Sequence, residues 1–138
     1  MNALQKRYPE DVAAILNKYP PEFRQSAVMP LLFLAQRQDG HISEEALADI
    51  AELTGLSTTD ISSVVGFYTL FHDEPGGRYR IQVCTDLPCA LRGAEDFLSL
   101  LEKELGIGAG ETTADGMFTI EEVKCLGACH RARSEERR

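Results

Sequence analysis

Two stretches decide the fold of the second half of the chain: YRIQVCTDLPC at residues 79–89 and FTIEEVKCLGAC at residues 118–129. In the first, apolar residues alternate with Arg80 and Gln82, which predicts a strand with one solvent-exposed face. Between the two stretches, leucines recur at helical spacing until Gly106. The apolar residues of the two predicted strands are Tyr79, Ile81, Val83, Phe118, Ile120 and Val123.

A cysteine pair stands at the end of each predicted strand. The order strand, helix, strand predicts a parallel pairing through a right-handed crossover. Because the carboxyl ends of parallel strands lie at the same edge of a sheet, we expect both pairs to meet at one rim. The four cysteines are Cys84, Cys89, Cys125 and Cys129.

The spacing Cys84-x4-Cys89 and Cys125-x3-Cys129 is typical of soft-metal chemistry. Four thiolates suit zinc or an iron–sulfur cluster, and the wide gap in the first pair favours a [2Fe–2S] cluster over zinc. A disulfide framework ranks below both. A Cys-x-x-Cys redox motif is absent from the sequence, and its three histidines are scattered along the chain, which gives hydrolytic catalysis little support.

The first half of the chain has helical periodicity. Ser43 and Ser57 are good N-caps, and Gly55 is a good helix stop. Short helices without long loops predict a small helical bundle over residues 1–75. The turn-forming segment DEPGG at residues 73–77 marks a domain boundary. We therefore expect a helical domain at 1–75, a cysteine-bearing domain at 78–130 and a charged, disordered tail at 131–138.

Composition excludes several function classes. The 138 residues carry a formal charge of −8, from 14 basic and 22 acidic side chains, which argues against nucleic acid as a partner. The longest apolar run, near residues 29–35, is much shorter than the roughly 20 residues that a membrane span needs. We expect no secretory signal and a reducing compartment, because no basic segment followed by an apolar one opens the chain.

The two cysteine motifs resemble those of a known family. CTDLPCALRG at residues 84–93 and VKCLGAC at residues 123–129 are similar to the cluster motifs of thioredoxin-like [2Fe–2S] ferredoxins. The commonest member of that family is the small peripheral subunit of NADH:quinone oxidoreductase (complex I). The resemblance extends upstream through VGFYTLF at residues 65–71 and covers nearly the whole chain to Ala132.

The resemblance implies a fold of the α+β or α/β class, in which a helical bundle precedes a thioredoxin-like domain. It also implies a one-electron carrier with one [2Fe–2S] cluster, ligated by Cys84, Cys89, Cys125 and Cys129. The expected partners are a flavin-bearing, NADH-oxidising subunit that holds FMN and NADH, and other subunits of the peripheral arm. The protein would act in NADH dehydrogenase only as a subunit, in the cytoplasm at the inner face of the cell membrane.

Two alternatives remain open. The chain could be the equivalent subunit of an NAD-dependent formate dehydrogenase or hydrogenase, or a non-redox four-cysteine module that binds zinc and serves assembly.

Around the motifs, we expect a helix that begins near Ala90 with its positive end beside Cys89. We also expect Gly127 to let backbone N–H groups approach sulfur.

The chain departs from the family pattern after Cys129. The family continues with Ala-Pro, two strands and a helix, whereas this chain has Ala132-Arg133-Ser134 and a charged end. We therefore expect an incomplete thioredoxin-like domain. A single-base deletion in an Ala-Pro-Val codon run would account for the change, and a natural short form is the competing explanation.

Overall fold

The chain divides into two units, Met1–Pro75 and Gly76–Arg138. The computed structural model describes residues 1–131 and 135–137. The mixed α and β fold class, with a helical N-terminal half, is confirmed. None of the described helices combines the length and the apolar character that a membrane crossing requires.

The first unit is helical. Ser43 and Ser57 cap their helices as expected: the Ser43 side chain accepts from the N–H of Ala46, and Ser57 forms a capping box with Asp60. The α-helices of the first unit are α1 (Ala3–Arg7), α2 (Pro9–Leu16), α3 (Val28–Asp39), α4 (Glu44–Thr54) and α5 (Thr58–Phe67), and a 3-10 helix at Pro21–Ala27 precedes α3. The apolar faces of these helices form one core, whose fully buried side chains include Leu31, Leu32, Ile50 and Ile61.

The second unit contains the predicted strand–helix–strand. Strand β1 (Tyr79–Cys84) pairs in parallel with β2 (Phe118–Val123), and the helices α6 (Leu87–Ala90) and α7 (Ala94–Leu105) connect them. In this register Tyr79 lies opposite Phe118, and Cys84 lies opposite Val123. Ile81, Val83 and Ile120 are buried. The strand ends that lead to the cysteines therefore share one edge.

The tail differs from its prediction over the described residues. Glu135–Arg137 form a strand, β3, that pairs antiparallel with β1, so the sheet order is β2-β1-β3. Residues 132–134 and 138 lie outside the described residues. The physical reason is that the edge of β1 away from β2 presents backbone N–H and C=O groups, which are a template for pairing with another strand. Charge content alone did not reveal this pairing.

The helix expected near Ala90 is also different. Helix α6 already begins at Leu87 and includes Cys89, and the longer α7 begins only at Ala94. Pro88 in the first turn favours the early start, because its fixed φ is close to helical. Gly93, at φ 88°, then separates the two helices. Cys89 thus lies inside a short helix and not in front of a long one.

Candidate metal centre

The first cysteine pair is buried. Cys84 is the last residue of β1 and is 4% exposed, and Cys89 in α6 is 3% exposed. Burial raises the pKa of Cys84, and the neighbouring Cys89 thiol raises it further. Since a metal binds the thiolate, loading of this site must release protons.

A tight turn shapes the approach to Cys89. The Cys89 N–H donates to the carbonyl of Asp86 at 2.9 Å, and the N–H of Ala90 donates to the same carbonyl at 2.8 Å. The leucines on either side of Cys89 in this turn are solvent-exposed, Leu87 by 67% and Leu91 by 78%. The turn therefore directs the thiol inward and leaves an apolar rim outside.

The second pair lies in the segment after β2, and both of its cysteines are exposed. The N–H of Gly127 donates to Cys125 Sγ at 3.3 Å, as the sequence predicted for that glycine. Gly127 has φ 70°, a left-handed conformation that favours glycine. Cys129 begins a 3-10 helix at Cys129–Arg131. The neighbouring Cys125 raises the pKa of Cys129, and partial burial and Cys89 contribute.

The two cysteine-bearing segments lie close to each other. Cys84 Sγ donates to the carbonyl oxygen of Lys124 at 3.3 Å, one residue before Cys125. The structure thus places the two cysteine-bearing segments at the same end of the β1–β2 sheet. The cause is the parallel register, which places Cys84 beside Val123.

The donor set consists of two pairs. In the part of the chain that the structure describes, no group of three or more His, Cys, Asp and Glu side chains is arranged to hold one metal ion. A structural zinc needs four ligands around a single ion, whereas each iron of a [2Fe–2S] cluster takes two thiolates. By donor chemistry, the two thiols of each cysteine-bearing segment match the two thiolates that each iron takes.

Two further residues beside these thiols were not predicted from the sequence. The Thr85 hydroxyl donates to Glu122 Oε1 at 2.5 Å, and this bond lowers the pKa of Glu122. Lys124 Nζ lies 3.6 Å from the same carboxylate oxygen and lowers that pKa further. The pairing of Thr85 with Glu122 depends on the strand register, so no pattern along the chain indicates it.

The chain is similar to known proteins over most of its length. The family model for thioredoxin-like [2Fe–2S] ferredoxins matches residues 12–133. The chain is 46% identical over 115 residues to NADH-quinone oxidoreductase subunit 2 of Thermus thermophilus, covering 83% of this chain and 64% of that one. It is 44% identical over 123 residues to an NADH-quinone oxidoreductase subunit of Rhizobium meliloti, covering 89% and 72%.

A solved structure has a similar fold. An NAD+-reducing [NiFe]-hydrogenase in the air-oxidized state superimposes with a TM-score of 0.66 at 22% identity, covering 78% of this chain and 19% of that one. The chain spans 64% of the length of the Thermus relative, just under two thirds. From the family match and the sequence identities, we conclude that the chain belongs to the thioredoxin-like [2Fe–2S] ferredoxin family.

Proposed function

We propose that this chain is the [2Fe–2S] electron-transfer subunit of an NADH:quinone oxidoreductase, with Cys84, Cys89, Cys125 and Cys129 as the cluster ligands. The observation that carries the proposal is the placement of two cysteine-bearing segments at one end of a parallel strand pair, with Cys84 Sγ 3.3 Å from the Lys124 carbonyl oxygen. The relatives named as NADH-quinone oxidoreductase subunits support the choice of complex. When bound, the cluster supplies one-electron redox chemistry.

The residues of this chain have separate tasks in that role. The buried pair, Cys84 and Cys89, keeps water from one side of the site. The N–H of Gly127 donates to Cys125 Sγ, and hydrogen bonds to ligand sulfur are among the features that set the potential of a cluster. The exposed pair, Cys125 and Cys129, gives a partner protein close access.

The partner in this proposal is a flavin-bearing subunit that holds FMN and oxidises NADH. The chain has no G-x-G-x-x-G nucleotide motif, so NADH binding belongs to that partner. The protein would then work on the peripheral arm of the complex, at the cytoplasmic side of the membrane. We expect co-purification with the flavin subunit. An isolated chain that oxidised NADH with an added acceptor would contradict this division of labour.

The metal assignment is tested by anaerobic reconstitution of the full chain. We expect two irons and two labile sulfides per chain, and one paramagnetic [2Fe–2S] signal after reduction. Cys84→Ser and Cys125→Ser should each reduce cluster occupancy, since each removes a thiolate from one pair. His130→Ala is the matched control, because His130 is exposed and adjacent to Cys129. One zinc per chain without labile sulfide would favour the non-redox module instead.

A further inference from the structure

The hydrogen bond between Thr85 and Glu122 joins the two cysteine-bearing segments. Thr85 follows Cys84 directly and is 9% exposed, whereas Glu122 lies on β2 three residues before Cys125. Its carboxylate accepts from the Thr85 hydroxyl at 2.5 Å across a sequence separation of 37 residues. A short hydrogen bond to a carboxylate is among the stronger polar contacts in proteins.

The chain at Thr85 is held from two sides. Its N–H donates to the carbonyl of Val123 at 3.0 Å, which extends the parallel ladder beyond the end of β1. Successive side chains of an extended segment point to opposite faces. Cys84 bonds the Lys124 carbonyl at 3.3 Å, while the next side chain, Thr85, reaches Glu122. The two bonds that Thr85 donates, from its N–H to Val123 and from its hydroxyl to Glu122, tie the start of the first cysteine loop to the end of β2 without needing the Cys84 proton.

We propose that Thr85 and Glu122 are positioning residues, a clamp that holds the loop of Cys84 and Cys89 against the segment leading to Cys125. The clamp keeps the two thiol pairs at the separation that a shared two-iron cluster requires. Glu122 also adds a negative charge three residues before Cys125, which disfavours the more negative, reduced form of the cluster. This inference rests on the proposed function, because only a group shared by both pairs makes their separation matter.

Two variants separate the two effects. Thr85→Val keeps the shape of the side chain and the charge of Glu122 but removes the hydroxyl. Cluster loss to a chelator should therefore become roughly fivefold faster. The expected increase in rate is smaller than for a fully buried hydrogen bond, because Glu122 is partly exposed. Glu122→Gln keeps an acceptor oxygen but removes the charge, so retention should stay within about twofold and the midpoint potential should rise. Thr85→Ser should restore slow cluster loss.

Thr113→Val is the matched control. Thr113 donates to a carboxylate oxygen of Asp115 at 2.5 Å, the same chemistry in a loop without cysteines. We expect this variant to retain its cluster like the parent chain. Cluster loss in Thr85→Val no faster than in Thr113→Val would overturn the clamp, and so would a Thr85→Ser variant that loses its cluster as fast as Thr85→Val.

The chain without cluster gives an independent test. Amide hydrogen exchange over residues 84–91 should be several-fold faster in Thr85→Val than in the parent chain, since the loop then lacks its side-chain tie to β2. Unchanged exchange would overturn the clamp. Failure of the parent chain to take up iron and sulfide refutes the proposed function instead. The exchange measurement still decides whether the loop is held.

Discussion

Gly77 should tolerate no side chain, because it lies against the backbone of β2. A Cβ at this position would come within 2.8 Å of the backbone N and C atoms of Phe118 and 3.0 Å of the backbone C of Met117. Carbon contacts are optimal near about 3.5–4.0 Å. The Gly77 N–H also donates to Thr119 Oγ1 at 2.7 Å, so the start of β1 is held close.

The expected magnitude follows from this geometry. To admit a methyl group, two backbones must separate by about half an ångström or more, and overpacking of this kind costs about 1–3 kcal/mol. An alanine also reduces the entropy of the unfolded chain, which offsets about 0.4–1 kcal/mol. We therefore expect Gly77→Ala to lower the free energy of unfolding of the second unit by about 1–2 kcal/mol.

Gly76→Ala is the matched control. There the nearest atoms to a Cβ would be those at the end of the Arg80 side chain, at 2.5 Å, and a flexible guanidinium can move away. Urea unfolding of the full chain, with hydrogen exchange to assign the change to β1 and β2, measures both variants. We expect Gly76→Ala to lower the free energy of unfolding by less than about 1 kcal/mol, chiefly because displacement of Arg80 weakens its ion pair with Glu121 at 2.6 Å. Equal stability of the Gly77→Ala variant and the parent chain would refute the steric reasoning.

Three further predictions concern single side chains. Gly66→Ala should stabilise α5 by about 0.5–1 kcal/mol in thermal unfolding, because a Cβ there meets nothing within 4 Å and alanine favours a helix. Gln36→Ala should cost about 1–3 kcal/mol in urea unfolding, because the Gln36 side chain makes hydrogen bonds of 2.8 and 2.9 Å to the backbone at residues 70–72. The Thr113 hydroxyl and a backbone N–H lower the pKa of Asp115. The ionised Asp115 carboxylate should therefore stabilise the folded chain above the ordinary carboxyl pKa, and this stabilisation should disappear as pH falls through the lowered pKa. NMR titration should show a midpoint below the ordinary value of 3.8, and Thr113→Val should raise it.

Local signals in the sequence predicted much of the fold. The caps at Ser43 and Ser57 work because a hydroxyl beside a helix start satisfies free N–H groups within three residues. The β1 pattern is equally local, since alternation along one strand decides which side chains are buried. The four cysteines were predicted from spacing and from the parallel order of the strands. The caps and the alternation need only neighbours along the chain, whereas the placement of the two cysteine pairs at one rim also needs the strand–helix–strand order.

Similar residues can nevertheless have different surroundings. Phe67 and Phe71 stand four residues apart in one aromatic segment, yet Phe67 is 78% exposed and Phe71 is 5% exposed. The ring of Phe71 packs at 4.8 Å from that of Phe33, which the sequence alone does not place. Spacing along the chain cannot distinguish the two rings, because α5 ends at Phe67 and the helical period ends with it.

The sequence by itself predicted which residues would supply the chemistry: four thiols, paired at the ends of two strands. The tertiary structure decided how those thiols are surrounded. Strand register placed Thr85 within reach of Glu122, and the free edge of β1 accepted Glu135–Arg137 as a strand. Both outcomes depend on backbone groups that meet across long sequence separations, where the contact is set by the packing of the whole sheet and by no local pattern.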